Sequence, residues 1–237
     1  VEMANNQFTA VTFTSSGYID ISYNLILSIK RNKVPINLKL YCLDIESFKF
    51  FEEKNEETFL LEDENSFSYK LMKQNDSDFG ELMLKKFFII HKNLLEDTNV
   101  LYVDGDIVLK KDFTKYFESL LLKNDIVFQN DKRPSKPNQI NVCAGFMLIK
   151  SNKKIIKFFD PEKIPIKKIV NYKTHDQTHL NKNLAKFKYT ILPLQHFPNG
   201  PYFYENYNKI DPFMVHFNYI LGEDKISRMK ELNEWYL

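Results

Sequence analysis

The sequence predicts one α/β domain built on a largely parallel sheet. In the first half, short apolar runs alternate with amphipathic stretches, the order that places parallel strands in one sheet with helices on its faces. The 237 residues are enough to bury one sizeable core. No internal repeat or low-complexity linker divides the chain, and the loop-like stretch 131–139, DKRPSKPNQ, is too short for a domain boundary. Residues 1–237 are therefore read as a single domain.

FTAVTFTS (8–15) alternates and is rich in Phe, Thr and Val, so it reads as the first strand. Ser15-Ser16-Gly17 makes a turn. YIDISYNLILSIKRN (18–32) then carries apolar residues at helical spacing and ends on basic residues, as a helix C-terminus favours. After Pro35, NLKLYCLD (37–44) is a second strand, followed by a helix over 45–54, a short strand near 58–61 and loop over 62–77. GELMLKKFFIIHKNLL (80–95) is an amphipathic helix, and NVLYVDGDIVL (99–109) a strand that breaks at its acids. TKYFESLLL (114–122) is a short helix and DIVFQN (125–130) another strand. INVCAGFMLIKS (140–151) is a strand with small Ala144-Gly145 inside it, and NKKIIKFFD (152–160) is helical. THDQTHLNKNLAKF (174–187) opens a helix on a cap at Thr174 or Asp176. YTILP (189–193) is a late strand, and 196–212 is loop. Its aromatic run HFPNGPYFYENY (196–207) suits either packing or an acceptor wall. MVHFN (214–218) is the last strand and EDKISRMKELNEWY (223–236) the last helix.

The 33 basic and 31 acidic residues are mixed along the chain, leaving a net charge of +2 and no one-sign block to hold nucleic acid. Cys42 and Cys143 lie far apart and outside any C-x-x-C. That argues against a disulfide framework or zinc knuckle and for a reducing compartment such as the cytoplasm. No apolar run is long enough to span a bilayer, and VEMANNQ lacks the regions of a signal peptide. Val1 at the start fits a domain cut from a longer chain, in which case an anchor or targeting segment could have been removed.

In VLYVDGDIV, Asp104 and Asp106 flank Gly105 directly after an apolar strand. Ligands in open α/β sheets bind at such carboxyl ends. One reading is a solvated turn that caps a helix. A second is the D-x-D-x-V signature of haloacid-dehalogenase-type phosphotransferases, with Asp104 as nucleophile and Asp106 as general acid/base. A third is a pair of metal ligands that meets a nucleoside diphosphate. Placement behind VLYV would bury the acids, and buried carboxylates need a positive partner, which favours a cation over the turn. The phosphotransferase motif normally occupies the first strand of its domain, whereas here a long α/β stretch precedes it and no G-D-x-x-D follows. A hard divalent ion held by carboxylates can bridge diphosphate oxygens as a Lewis acid.

On LYVDGD, MVHFNYILGEDK, NVCAGFMLIK and THDQTHLN the chain resembles the metal-dependent nucleotide-diphospho-sugar transferases of the glycosyltransferase-A fold, including glycogenin-like and plant xylosyltransferase-like members. The resemblance covers most of the chain. It implies a Rossmann-like mixed central sheet flanked by helices, with Asp104 and Asp106 as metal ligands and Gly105 between them at the donor. MVHFNYILGEDK is similar to the family's H-x(n)-G-x-x-K pattern. His216 would then complete the metal site, while Gly222 and Lys225 would serve the diphosphate. Such an Asp-Asp-His set suits Mn²⁺, or Mg²⁺. NVCAGFMLIK is similar to the N-x-G strand that lines the sugar and acceptor site. Here Asn141 is four residues before Gly145 rather than two, so Ala144-Gly145 is the expected point of close backbone approach.

THDQTHLN is similar to the family's D-Q-x-x-L-N helix. Asp176 and Gln177 would meet donor-sugar or acceptor hydroxyls as the catalytic residues, with Asn181 supporting the helix. His175 and His179 lack an acid at a metal-binding offset and read as a solvated face. Thr12, Thr14 and Ser15 end the first strand where the family holds base and ribose, and Tyr18 is the expected stacking partner of the base. Of Lys85 and Lys86, on the helix before the acids, Lys86 is expected to face the donor. The implied activity is metal-dependent transfer of a sugar from a nucleotide diphosphate donor, UDP favoured over GDP, to a hydroxyl of a glycan or glycoprotein. A retaining outcome follows the glycogenin-like likeness. Asp176 would be the base of an inverting route, and Gln177 would serve a double-displacement or front-face one. A phosphotransferase and a noncatalytic nucleotide-sugar-binding module are the alternatives.

Overall fold

β1 (Phe8–Thr14) and β4 (Asn99–Val103) lie side by side at the centre of a seven-stranded sheet in the computed structural model, which describes residues 8–61, 78–132, 138–164 and 176–237. In chain order the elements between them are α1 (Ile19–Arg31), β2 (Leu38–Cys42), α2 (Ile45–Glu53), β3 (Thr58–Leu60) and α3 (Asp78–Leu94). After β4 come β5 (Ile107–Leu109), α4 (Thr114–Leu121), β6 (Ile126–Asn130), β7 (Val142–Ile149) and α5 (Lys153–Phe159). The chain ends with α6 (Asp176–Asn183), β8 (Tyr189–Ile191), α7 (Gly200–Asn206), β9 (Met214–His216) and α8 (Gly222–Glu231).

The sheet order is β3-β2-β1-β4-β7-β6-β8, with β5 and β9 forming a separate two-stranded ribbon. All of its strands run the same way except β7, which is antiparallel to both β4 and β6. The sheet is thus mixed rather than purely parallel. From β1 the chain builds outward to β2 and β3, then returns to place β4 on the other side. That reversal makes the carboxyl ends of β1 and β4 a switch point, where neighbouring loops part and leave a crevice.

Both faces of the sheet are covered, so β4 and β7 read as nearly continuous apolar runs, whereas β1 keeps threonines in alternation, Thr12 and Thr14 among them buried. Val11, Tyr102 and Met147 pack with Phe87 and Ile90 of α3 on one face. Ala10, Leu101, Phe146 and Leu148 pack with Leu25 of α1 and Phe117 of α4 on the other. Helix starts follow local capping chemistry: Asp44 accepts the Ser47 N–H, Asn152 that of Ile155 and Asn199 that of Tyr202.

Three expectations need correction. The stretch 196–212 is not all loop, because Asn199 and Pro201 start α7 within it. The last helix ends at Glu231, and residues beyond it cross α1, where Asn24 bonds the Glu234 carbonyl and the Tyr236 N–H. α6 ends at Asn183 and passes into a 3₁₀ turn, Leu184–Lys186. The readings of VEMANNQ, 62–77, Thr174, His175 and the middle of 131–139 lie outside the described residues. Among the described residues, no helix is long and apolar enough to cross a membrane. Cys42 and Cys143 are both free and buried.

Candidate active site

Asp104 is the first residue beyond β4, and its N–H donates to the Gly145 carbonyl at 2.7 Å. After the turn, β5 pairs with β9 in a register that sets Ile107 opposite His216. The Phe217 N–H also donates to the Asp106 carbonyl at 3.0 Å, so the ribbon brings Asp106 and His216 together from distant parts of the chain. Ligand atoms of Asp104, Asp106 and His216 all lie within 4.8 Å of one another. His216 Nε2 is 3.1 Å from Asp106 Oδ1 and 4.0 Å from Asp104 Oδ2.

Two carboxylates and one imidazole form a donor set that suits a hard to borderline divalent ion. Gly145 keeps the space in which they meet. A Cβ there would lie 2.4 Å from Asp104 Oδ2 and 2.5 Å from His216 Cε1. The close approach expected at Ala144-Gly145 is therefore real, and its partners are Asp104 and His216. Ala144 contributes its carbonyl, which accepts a hydrogen bond from Lys86 Nζ at 3.2 Å.

The acids are balanced by buried cations. Burial disfavours a charged Asp106, yet His216 and Lys225 beside it hold its carboxyl well below the usual carboxylate range. Burial likewise opposes a charged His216 ring, and the Asp106 carboxylate outweighs it, raising the ring well above its ordinary value. Lys225 reaches Asp106 from α8, and Gly222, at φ +55°, makes the turn that starts that helix. Lys86 is the inward-facing lysine of α3. Its Nζ lies 3.3 Å from Asp104 Oδ1 and 2.5 Å from Asp176 Oδ2, over the ring of Tyr102. Burial works against its charge, but Asp104 and Asp176 keep its pKa above the ordinary lysine value. Tyr102 donates its hydroxyl to Asp104 Oδ1 at 2.8 Å.

Beside this cluster, at the switch point, is a cavity of about 310 Å³. Thr14, Ser15, Tyr18, Gly105, Asp104, Asp106 and Lys225 line it, as does a group not foreseen from sequence: Phe13, Ser22, Leu43 and Tyr102. Thr12 is not on its wall. It sits deeper in β1, fully buried, and its hydroxyl has no hydrogen-bond partner among the described residues. Thr14 shares its face of the strand but is the last residue, so it reaches the opening.

On the other side of Asp104 and Asp106, Asp176 accepts the Gln177 N–H through Oδ1. Asn181 bonds both backbone groups of Val142, at 3.0 Å and 3.1 Å, which docks α6 against the start of β7. Asn141 and Gln177 turn toward Asp131, a buried acid that follows β6. Asn199, Asn218 and Tyr219 also donate to its carboxylate. Asp131 lacks the sequence mark of Asp104, because polar Gln129 and Asn130 separate it from the apolar residues of β6. His179 is half-buried rather than on a fully solvated face, stacking on Phe158 at 5.3 Å.

A sheet reversed at β7, with an Asp-Asp-His cluster at its switch point, is the architecture of the glycosyltransferase-A class. Residues 37–229 match the family described as nucleotide-diphospho-sugar transferase, and the chain belongs to that family. It is 25% identical over 292 residues to a UDP-galactose:fucoside alpha-3-galactosyltransferase of Dictyostelium discoideum, covering 100% of this chain and 44% of that one. The chain thus spans less than half the length of this relative. Among solved structures it resembles the glycosyltransferase GlyE of Streptococcus pneumoniae, with TM-score 0.59, 22% identity and coverage of 98% of this chain and 63% of that one. It also resembles the galactosyltransferase LgtC in complex with donor and acceptor sugar analogs, with TM-score 0.61, 14% identity and 95% of each chain covered. At these identities the structural likeness concerns the fold.

Proposed function

We propose that this chain is a metal-dependent glycosyltransferase that moves a sugar from a nucleotide diphosphate, a UDP-sugar before a GDP-sugar, to a hydroxyl of a glycan or glycoprotein. The observation that carries this reading is the meeting of Asp104, Asp106 and His216 within 4.8 Å beside the switch-point cavity. Mn²⁺ suits the donor set best, with Mg²⁺ second. An ion held there supplies Lewis-acid neutralisation of the diphosphate leaving group. The UDP preference and the choice of UDP-galactose as first donor to test follow the Dictyostelium relative's name. Family membership favours sugar transfer over the phosphotransferase alternative.

Lys225, on the cavity wall against Asp106, places an ammonium where diphosphate oxygens would lie and stabilises the charge that develops on them. Thr14, Ser15 and half-exposed Tyr18 flank the position for ribose and base. Lys86 holds Asp104 and Asp176 in one arrangement. Both Asp176 oxygens are engaged, one by Lys86 and one by the Gln177 N–H, which suits holding a donor-sugar hydroxyl more than removing a proton. That favours a retaining outcome with Gln177 at the reacting face. The shared core supports one domain over 1–237, and two buried free thiols support work in a reducing compartment such as the cytoplasm.

Calorimetry with UDP, GDP and their sugars, with and without Mn²⁺, tests the reading. UDP should bind more tightly with Mn²⁺, and Asp104→Ala should abolish metal-dependent hydrolysis of UDP-galactose. Hydrolysis that survives Asp104→Ala rejects the site. UDP binding without any sugar release would leave a noncatalytic module.

A further inference from the structure

Gln129, the fourth residue of β6, is fully buried and is neither a metal-cluster residue nor on the cavity wall. Its Nε2 donates to the carbonyls of Pro198 at 2.8 Å and Phe197 at 3.3 Å. Its Oε1 lies 2.8 Å from His216 Nδ1. Carbonyls only accept, so turning the amide over would set its oxygen against two other oxygens. The NH₂ must face them, which leaves Oε1 toward the ring. An amide oxygen also only accepts, so Nδ1 must carry a hydrogen. In the neutral ring, the form that ligates a metal ion, this is the single hydrogen, so Nε2, the nitrogen facing Asp106, is the one left with a lone pair.

The rival partner for Nδ1 is Cys143 Sγ, at 3.6 Å. That contact is longer, and the sulfur already accepts the Gly145 N–H at 3.3 Å. The Pro198 carbonyl also takes the backbone N–H of His216 at 3.3 Å, so Gln129 and His216 are registered on the same group. We propose that Gln129 is a positioning residue of the metal centre, fixing His216 with Nδ1 protonated and Nε2 open to a divalent ion. This rests on the reading of Asp104, Asp106 and His216 as metal ligands. Partners of this kind set both the tautomer and the ring orientation of ligating histidines.

Mn²⁺ binding to wild type, Gln129→Met and Gln129→Glu, followed by electron paramagnetic resonance of free Mn²⁺, tests the proposal. Methionine fills similar space without an acceptor for Nδ1–H, whereas glutamate, protonated on the oxygen that faces the Pro198 and Phe197 carbonyls, restores one. The Mn²⁺ dissociation constant should rise roughly 10–100-fold in Gln129→Met and recover in part in Gln129→Glu. Equal Mn²⁺ affinity in wild type and Gln129→Met overturns the proposal, even if the variant melts at a lower temperature. A wild type that binds no Mn²⁺ overturns the metal reading itself. If Gln129→Met fails to fold, a ¹H–¹⁵N spectrum of the histidine rings in wild type loaded with diamagnetic Cd²⁺ decides alone. His216 should carry its hydrogen on Nδ1, and the opposite tautomer overturns the proposal.

Discussion

On the β3–β2–β1–β4 side of the sheet, the cavity wall is made of Phe13, Leu43 and the turn that carries Ser15 and Tyr18. Asp44 ties that turn down, accepting the N–H groups of Ser16 and Ser47. On the β7–β6–β8 side, side chains from β7's approach, α6, the start of α7 and the loop after β9 converge on the buried carboxylate of Asp131. Asp104 stands at the seam, linked through Lys86 to Asp176 and facing His216. The first wall joins neighbouring parallel strands, with Asp44 just beyond β2 and 28 residues from Ser16, so the β1–β2 pairing brings its parts together. The second joins segments up to 88 residues apart, and of its five donors strand pairing aligns Asn141 alone with Asp131, so a polar network holds the rest. Damage to the two walls should differ accordingly in size and reach.

The largest effect is expected at Asp131. Asp131→Ala would take an acceptor from Asn141, Gln177, Asn199, Asn218 and Tyr219, of which Asn199 is buried, Tyr219 exposed and the others half-buried. Each buried donor so orphaned costs about 1–3 kcal/mol, less where water replaces the partner. A loss of about 3 kcal/mol or more in urea unfolding is expected, with Asp131→Asn milder because it keeps one acceptor oxygen. A loss under about 1 kcal/mol would mean that the second wall does not depend on this carboxylate.

At the seam, Gly145→Ala would drive a methyl group into Asp104 and His216. Overpacking of this kind costs about 1–3 kcal/mol, and the shift should fall on Asp104 and His216, weakening Mn²⁺ binding while UDP binding without metal is kept. Gly17→Ala is the matched control from the first wall. A Cβ there meets nothing within 4 Å, so stability and Mn²⁺ affinity should stay near wild type. Similar Mn²⁺ affinity in both variants would show that the cluster has room to relax.

The same contrast explains what could be read from residues alone. β4 and β7 carry their assignment in their own composition, because a strand buried on both faces is nearly apolar throughout, and β1 carries its own in the alternation of FTAVTFT. The acids of LYVDGD were legible because their placement conflicts with burial. Thr12 was misplaced since alternation tells which residues share a face, not how far along a strand the opening begins. The small pair Ala144-Gly145 announced a close approach without naming its partners, which arrive from β4 and β9. Asp131 lacks the mark of Asp104, since polar Gln129 and Asn130 precede it, and its Tyr219 partner is 88 residues away. No sequence window contains both. Gln129 has the same difficulty, as its role exists only through His216 and the Phe197 and Pro198 carbonyls. α7 was hidden because aromatic density drew more notice than the Asn199 cap.

The smallest effect should come from Asp44, and its pH dependence makes it diagnostic of the first wall. Burial works against the ionised carboxyl, but the Ser47 and Ser16 N–H bonds outweigh it and lower the pKa below its ordinary value. A carboxyl whose folded value is depressed adds stability that is complete above the unfolded value, near 3.9, and is lost as pH falls through the folded one. Asp44→Ala should therefore cost about 1 kcal/mol at neutral pH, as for other lost caps. Its gap from wild type should close as the medium is acidified below about pH 4. Because the Ser16 N–H is released in the turn that bears Ser15 and Tyr18, UDP binding should weaken while Mn²⁺ affinity holds. That is the reverse of the pattern expected for Gly145→Ala. If Asp44→Ala instead weakened Mn²⁺ and spared UDP, the turn after β1 would be acting through the acids at the seam, and the two walls would be one mechanical unit.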